Sequence, residues 1–456
     1  MCAEAVKNQK ARVVIDGYTA EGLGVGRLDN GMAVFVPGTA RGDVLTIRLV
    51  QVRKHFAYGR VEEILTPSPA RIPVDCPQFP RCGGCDFRHI SYEEELDLKA
   101  RRVQDALVRL GGIDTPLPEI VPSPRVLRYR NKCQLPVGRD ERGRTAAGFY
   151  RARSHQLVPT EDCLLQSEES CALTRAVCRW ADAHRVPLYD EASRTGALRH
   201  IYIREGSGGR HLTLVSALPT LPAEEALVIA LRETDPGLCG VVLNCNPNPG
   251  NRVLGPDCRT VWGAGRLEDT LLGRTFALSP LSFYQVNHDQ TEHLYRQICA
   301  WADLGPGTRA LDLYCGVGTI TLALAGVCES VTGVEIVAPA IQDAQANAAR
   351  NGVANVRFFC ADAGQAAQRL AEEGYAPDVV VVDPPRKGID AAAIDAICRM
   401  APRKLIYIAC DPASLGRDAR LLREAGGWEL EAVRAFDLFP RTANVETAAL
   451  FSRPVD

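Results

Sequence analysis

Cys410 stands at the end of an apolar stretch, LIYIACDP (residues 405–412). Five apolar or β-prone residues precede it, and Asp411-Pro412 interrupts the pattern, so the stretch predicts a strand that delivers a cysteine to its exposed end. A thiol in that position could act as a nucleophile, bind a metal or fill the edge of a core. Which role it has depends on the residues that neighbouring elements bring to the same position.

Regular alternation of strand and helix patterns from about residue 271 onward predicts a parallel sheet covered by helices. A doubly wound sheet binds its ligand beyond the carboxyl ends of its strands. We therefore expect one crevice to receive the polar side chains at or just past those ends, which are Tyr314, Cys315, Glu335, Asp362, Asp383 and Cys410.

The stretch LDLYCGVG (residues 311–318) indicates a nucleotide site, because a strand runs into a glycine turn there. Glu335 ends the next strand, where a carboxylate can bind both ribose hydroxyls of an adenosine. The full NAD fingerprint is absent, and the missing Gly-Lys-Ser/Thr excludes a P-loop. S-adenosylmethionine fits better because it has no pyrophosphate. The acid-Pro-Pro in VVDPPRKG (residues 381–388) leaves an amino-methyltransferase as an alternative, although Arg386 stands where an aromatic residue is usual.

A cysteine beside a methyl-donor site suggests methylation of a ring carbon. Carbon 5 of uracil is a poor nucleophile, but addition of a thiolate to carbon 6 would activate it. A base must later remove the proton from carbon 5. The last histidine is His293, so a carboxylate is expected, and Glu446 in FPRTANVETAALF (residues 439–451) is the candidate, with Asp437 as its competitor.

A second group of cysteines lies in CPQFPRCGGCDF (residues 76–87). Spacings of five and two residues, with two glycines in the close pair, predict a metal loop rather than three unligated thiols. Three close thiols with one remote thiol favour a [4Fe-4S] cluster over zinc, with a structural role. The close set is Cys76, Cys82 and Cys85, and the remote candidates are Cys163, Cys133, Cys171 and Cys178.

The chain has 456 residues, a net charge of −2 and seventeen cysteines. No apolar run could span a membrane and the N-terminus is polar, so we expect a cytoplasmic protein with reduced thiols. The segment 125–153 is different, since it carries nine basic and two acidic residues, with Tyr129, Phe149 and Tyr150 among them. This pattern is typical of a surface that binds a nucleic-acid backbone, although a solvated hairpin face is the alternative.

Three domains are expected. Residues 1–67 show short alternating strands and an Asn30-Gly31 hairpin signal, which predict a small β-barrel of the oligonucleotide-binding kind. Residues 68–270 hold the cysteine loop and the basic segment in a mixed α+β region. Residues 271–456 form the doubly wound α/β domain.

Six motifs in order resemble those of the RNA (uracil-5-)-methyltransferases, most closely the bacterial 23S ribosomal RNA branch. They are YRNKCQLPVG, SFYQVN, DLYCGVG, DPPRKG, IACDPASLGRD and LFPRTANVET, and the N-terminal stretch is similar to the family's TRAM barrel. The resemblance implies a monomeric enzyme that methylates carbon 5 of a uridine in RNA, with transfer RNA as the alternative substrate. A non-catalytic iron-sulfur RNA-binding protein is a further alternative.

The resemblance also implies roles for single residues. Cys410 would be the nucleophile and Glu446 the base, Cys163 would complete the cluster, and S-adenosylmethionine would contact Gln285, Tyr314, Glu335 and Asp383. Two positions depart from the family pattern. Asp411 replaces the usual Asn after the nucleophile, and its charge should disfavour the thiolate, while Asn444 replaces a frequent His.

Overall fold

The computed structural model describes residues 5–152 and 154–453. Its first five strands are β1 (Lys10–Tyr18), β2 (Gly24–Arg27), β3 (Ala33–Val36), β4 (Val44–Val52) and β5 (Phe56–Thr66). They close into a barrel in the order β1-β2-β3-β5-β4. Side chains alternate between the interior and the surface, as in β4, where Leu45, Ile47 and Leu49 are buried. The predicted N-terminal barrel is confirmed.

Two elements follow the barrel, helix α1 (Tyr92–Arg109) and strand β6 (Glu119–Val121). The Ser91 side chain caps α1 by accepting a hydrogen bond from the Glu94 backbone. Val103 and Leu107 of α1 belong to the core of the C-terminal sheet, and β6 forms an edge strand of that sheet. Part of the stretch 68–270 therefore packs with the C-terminal region, which its sequence did not indicate.

A seven-stranded sheet forms the middle of the molecule, in the order β13-β12-β11-β10-β7-β8-β9. Helices α2 and α3 pack on it around the buried Trp180 and Leu231. The elements are β7 (Lys132–Arg139), β8 (Thr145–Tyr150), β9 (Leu157–Pro159), α2 (Glu168–Ala183), β10 (Leu198–Gly206), β11 (Gly209–Ser216), α3 (Glu224–Thr234), β12 (Leu238–Cys245) and β13 (Asp257–Gly263).

The C-terminal region begins with the hairpin β14 (Leu267–Leu271) and β15 (Arg274–Leu278). Strands and helices then alternate as the sequence predicted. They are α4 (His288–Ala302), β16 (Arg309–Leu313), α5 (Thr319–Leu324), β17 (Ser330–Glu335), α6 (Ala338–Arg350), β18 (Val356–Cys360), α7 (Ala363–Glu372), β19 (Val379–Val382), α8 (Ala391–Met400), β20 (Lys404–Ala409), α9 (Pro412–Gly426), β21 (Glu429–Phe436) and β22 (Glu446–Ser452).

These strands form an eight-stranded sheet in the order β18-β17-β16-β19-β20-β22-β21-β6. Strands β16 to β20 are parallel, whereas β22 is antiparallel to both its neighbours. Strand β19 is four valines buried on both faces, as a central parallel strand should be. Helices α1, α7, α8 and α9 cover one face of the sheet, and α4, α5 and the β14–β15 hairpin cover the other. Within the described ranges, no helix has the length and apolarity needed to cross a membrane.

Candidate active site

The strand order reverses between β16 and β19, which is where a doubly wound sheet opens a ligand crevice. In the register of β17, β16 and β19, the residues Glu335, Tyr314 and Asp383 share one row at the carboxyl edge. The structure therefore brings three of the four predicted cofactor residues together.

The turn after β16 is tightly held. Tyr314 has a φ of 71°, a left-handed conformation that is uncommon for a tyrosine, and its backbone N–H donates to the Val334 carbonyl at 2.9 Å. The Glu335 carboxylate accepts hydrogen bonds from the backbone N–H groups of Gly316 at 3.2 Å and Val337 at 2.9 Å. The turn and the predicted ribose-binding acid are thus fixed to each other.

Gln285, the fourth predicted cofactor residue, lies in the loop before α4 and is nearly fully buried. Its backbone carbonyl accepts a hydrogen bond from the Asn131 side chain at 2.9 Å. The YRNK and SFYQ motifs therefore meet in space, although they are 154 positions apart.

A residue that sequence reasoning missed lies beneath the row. Asp312 is fully buried inside β16, and its carboxylate accepts a hydrogen bond from the Thr321 hydroxyl at 2.6 Å. Burial and the charges of Asp383 and Glu335 raise its pKa to about 7. Its Oδ1 atom has no hydrogen-bond partner in the described part of the chain. An acid inside an otherwise apolar strand was the signal in the sequence.

Cys410 and Glu446 face each other across two antiparallel strands. The register of β20 and β22 pairs Ala409 with Thr447, so the next opposed positions are Cys410 and Glu446. The charge of Glu446 acts on the Cys410 thiol, which is consistent with this placement. Cys410 is partly exposed, whereas Glu446 is only 2% exposed. A thiol and a buried carboxyl group are therefore juxtaposed at the end of the sheet.

The site is strongly acidic. Burial raises the pKa of the Cys410 thiol to about 11, the charges of Glu446 and Asp383 add to this, and Arg386 opposes it. Burial also raises the pKa of Asp383 to about 7. Burial, followed by the charge of Asp383, raises the pKa of Glu446 well above its usual range. Burial therefore disfavours the charged form of both carboxyl groups in the free protein.

Asp437, the competing base candidate, is already engaged. Its carboxylate accepts hydrogen bonds from Lys99 at 2.6 Å and from the Tyr92 hydroxyl at 2.7 Å. Lys99 is fully buried and also binds Glu95 at 2.7 Å. Glu446 is different, because its Oε1 atom is buried with no hydrogen-bond partner among the described residues. A free carboxylate oxygen is what a base requires.

Both departures from the family motif have partners in the structure. The Asp411 carboxylate accepts a hydrogen bond from Arg102 at 3.2 Å, so its charge is balanced by α1. The Asn444 side-chain oxygen accepts a hydrogen bond from Arg386 at 3.4 Å. Asp411 therefore has a cationic partner that the motif did not reveal.

The four predicted metal ligands line one cavity of about 270 Å³. Burial raises the pKa of Cys85 to about 12, and the pKa of Cys82 and of Cys163 is raised as well, first by burial and then by neighbouring thiols. In the described part of the chain, no three Cys, His, Asp or Glu side chains are arranged to hold a metal ion. The other cavity-lining residues include Arg88, Arg130, Lys132 and Cys133.

Several residues of the basic segment have structural contacts. Four arginines form ion pairs with nearby aspartates, and these pairs are Arg125–Asp289, Arg128–Asp162, Arg139–Asp182 and Arg144–Asp140. Tyr129 is buried and donates a hydrogen bond to the Pro440 carbonyl, so it is not part of the nucleic-acid-binding surface predicted for this segment. Arg153 lies outside the described residues.

Comparison with known proteins agrees with the geometry. The family model described as tRNA (Uracil-5-)-methyltransferase matches residues 274–454, and the TRAM domain model matches residues 5–61. The structure of Pyrococcus abyssi tRNA (uracil-54, C5)-methyltransferase in complex with S-adenosyl-L-homocysteine has the same fold, with a TM-score of 0.77 and 24% identity. That match covers 96% of this chain and 100% of the other.

Full-length relatives show the family directly. An uncharacterized RNA methyltransferase of Clostridium tetani is 39% identical over 448 residues, which is 98% of this chain and 97% of the relative. An uncharacterized RNA methyltransferase of Halalkalibacterium halodurans is 40% identical over 448 residues, 97% of each chain. With its matching fold and the row of side chains at the crevice, this chain belongs to the S-adenosylmethionine-dependent RNA (uracil-5-)-methyltransferase family.

Proposed function

We propose that this enzyme methylates carbon 5 of a uridine in 23S ribosomal RNA, through a covalent bond between Cys410 and carbon 6. The observation that carries the proposal is the opposition of Cys410 and Glu446 at the carboxyl end of the sheet. The same sheet edge carries Tyr314, Glu335 and Asp383. The nucleophile, the base and the cofactor residues thus share one crevice.

The proposed reaction begins with addition of the cysteine to the ring and ends with removal of a proton and release of the cysteine. The Cys410 thiolate adds to carbon 6, so that the electrons of the ring double bond reach carbon 5. S-adenosylmethionine supplies the methyl group that carbon 5 takes up. Glu446 then removes the proton from carbon 5, the double bond reforms, and the cysteine sulfur leaves carbon 6. Because Cys410 and Glu446 come directly after and directly before the last residue pair of β20 and β22, both would border the same pyrimidine ring.

The thiolate must be generated in the site, since the pKa of Cys410 is about 11 in the free protein. Arg386 is the cation that opposes this shift. Cys410 also lies just before the N-terminus of α9, whose dipole favours an anion there. These features lower the cost of forming the thiolate when RNA occupies the crevice.

The methyl donor would be held by Gln285, Tyr314, Glu335 and Asp383. Glu335 is oriented by two backbone N–H groups, which suits a carboxylate that accepts ribose hydroxyls. Ile336 and Val337 beside it are more than half exposed and offer apolar surface to an adenine ring.

The cysteine cavity would hold a [4Fe-4S] cluster with a structural role. The four thiols Cys76, Cys82, Cys85 and Cys163 surround one space, and Arg88, Arg130 and Lys132 line it too. A cluster with four thiolates is anionic and wider than one metal ion, and the surrounding cations compensate that charge. The shared cavity and its cations support the proposal, although no three of the described Cys, His, Asp or Glu side chains are already arranged around a metal ion.

The variant Cys82→Ala tests the cluster. We expect it to lose the brown colour, iron and sulfide of the purified protein and to become poorly soluble. Cys178→Ala, which removes a cysteine outside the cavity, should keep the colour, the iron, the sulfide and the solubility. A soluble, colourless and fully active Cys82→Ala protein would contradict the structural role.

The choice of 23S ribosomal RNA rests on the resemblance of the six sequence motifs to the bacterial 23S ribosomal RNA branch. Transfer RNA is the second candidate, because the archaeal enzyme with the same fold acts on uracil 54 of a transfer RNA. We expect a monomeric enzyme in the cytoplasm.

Transcripts that contain 5-fluorouridine test the reaction and the substrate together. Fluorine at carbon 5 cannot be removed as a proton, so the enzyme should stay bonded to the RNA it modifies. A covalent complex with a fragment of 23S RNA, and none with transfer RNA, is the expected result. Methyl transfer without any covalent complex would instead indicate an amino-methyltransferase.

A further inference from the structure

Arg102 of α1 connects the two halves of the candidate catalytic pair. Its Nη2 atom donates to the Asp411 carboxylate at 3.2 Å, and its Nη1 atom donates to the Ala443 carbonyl at 2.7 Å. Asp411 is the residue after Cys410, and Ala443 is three residues before Glu446. One guanidinium group therefore contacts both the segment that carries the thiol and the segment that carries the carboxyl group.

The position of Arg102 is fixed by packing. Helix α1 lies against α9 at Gly416, where a Cβ atom would stand 2.3 Å from the Ala106 carbonyl oxygen. Only glycine permits this approach, and it holds α1 beside the N-terminus of α9. The Arg102 side chain is 21% exposed and that of Asp411 is 30% exposed, so water screens the pair incompletely.

We propose that Arg102 is a positioning residue that neutralises Asp411 and thereby keeps the Cys410 thiol able to ionise. Without Arg102, the Asp411 carboxylate would stand unbalanced next to a thiol that already faces the carboxyl groups of Glu446 and Asp383. A further anion beside a thiolate destabilises it. This proposal rests on the proposed function, in which Cys410 is the nucleophile.

The other charged groups near this pair do not replace Arg102. Arg386 follows β19, its charge acts on both Cys410 and Arg102, and its side chain donates a hydrogen bond to Asn444 rather than to Asp411. Glu21 of the barrel adds a second negative charge near Arg102. The Asp411 carboxylate also accepts the Ala413 backbone N–H, at 3.4 Å, as the N-cap of α9. An asparagine could keep this cap without the charge.

A double-mutant cycle tests the proposal through the pH dependence of Cys410 alkylation by iodoacetamide, measured by peptide mass spectrometry on the full-length protein without RNA. Arg102→Gln removes the charge but keeps a donor for the Ala443 carbonyl. It should raise the alkylation midpoint by about 0.5 to 1.5 pH units. Asp411→Asn should lower it, and the double variant should return it close to the native value. Arg101→Gln on the same helix, whose arginine pairs with Asp97, is the matched control and should change nothing.

The kinetic consequence is separable from RNA binding. Arg102→Gln should lower kcat for methyl transfer at neutral pH by about 3- to 30-fold with little change in KM for RNA, and Asp411→Asn should restore much of the loss. An unchanged alkylation midpoint in Arg102→Gln, or one that stays raised in the double variant, would overturn the proposal. So would a raised KM with an unchanged midpoint, since Arg102 would then be an RNA contact. Full activity of Cys410→Ala would refute the proposed function instead, whatever the alkylation shows.

Discussion

Asp86 accepts a hydrogen bond from the backbone N–H of Ala443 at 2.8 Å. Asp86 follows Cys85, and Ala443 precedes Glu446 by three residues, so the cysteine loop is attached directly to the segment that presents the candidate base. The backbone N–H groups of Asp86 and Phe87 also donate to the Arg441 carbonyl, at 2.9 and 3.1 Å. One side-chain and two backbone hydrogen bonds thus join the cysteine loop to the segment before Glu446.

The Asp86 contact predicts a graded effect of two substitutions. Asp86→Ala leaves the Ala443 N–H without its acceptor and should destabilise the protein by about 1–3 kcal/mol and reduce methyl transfer. Asp86→Asn retains an acceptor oxygen and should have a smaller effect on both. Urea unfolding and initial rates provide the comparison. Equal losses in the two variants would mean that the carboxylate charge, rather than this hydrogen bond, is what matters.

The buried ion pairs of Lys99 should dominate the local stability. Lys99→Met removes the cation that binds both Asp437 and Glu95, leaving two buried carboxylates without it. We expect a loss of about 3–5 kcal/mol in the free energy of unfolding at pH 7. Arg101→Met, which removes an exposed ion pair from the same helix, should cost at most about 1 kcal/mol. If both variants lost less than about 1 kcal/mol, the buried network around Lys99 would not stabilise the fold.

The pH dependence of stability follows from the raised carboxyl pKa values. The pKa of Asp383 is raised from 3.8 to about 7, so the folded protein binds a proton there that the unfolded chain releases. This contribution is present below about pH 4 and is lost as the pH rises to about 7. Asp383→Asn should flatten that decline by at most ~1.4 kcal/mol per pH unit. Asp395→Asn, an exposed carboxylate on α8, is the control. Parallel curves for native protein and Asp383→Asn would show that Asp383 ionises normally.

The basic segment should contribute non-specific RNA affinity. Replacing Arg142 and Arg144 with glutamine should weaken RNA binding and lower its salt dependence by about one to two charge equivalents. Arg144 pairs with Asp140, so its loss also exposes a negative charge to the RNA. Arg369→Gln removes a similar exposed ion pair on α7 and should leave the salt slope unchanged. An unchanged slope in the double variant would show that these arginines face away from RNA.

The sequence predicted the fold well wherever periodic patterns were long. The strand predicted to deliver Cys410 is present as β20, which ends one residue before the cysteine. The crevice could be anticipated because parallel strands deliver their carboxyl ends to one edge. Strand β6 could not, since three residues, Glu119–Val121, contain no period that assigns them to a distant sheet.

The long-range ion pairs around the site could not be predicted from the sequence either, because their partners lie far apart in the chain. Asp411 reads as an unfavourable charge in its own motif, but its partner Arg102 lies 309 positions away on a helix of another predicted domain. Counting charges also overestimated the number of arginines in the segment 125–153 that are free of protein partners, because it could not show that Arg125 pairs with Asp289. Long-range ion pairs depend on how elements pack, and local patterns contain no record of that packing.

The division of labour between Cys410 and Glu446 is the central claim, and denaturing gels of enzyme mixed with labelled RNA and S-adenosylmethionine test it most directly. Glu446→Gln should still form the bond to carbon 6, but elimination should slow by about 10²–10⁴-fold, so a retarded protein–RNA band should accumulate. Cys410→Ala should give no band and no methyl transfer, and the double variant should also give no band. Normal turnover by Glu446→Gln, or a covalent band from Cys410→Ala, would contradict the account.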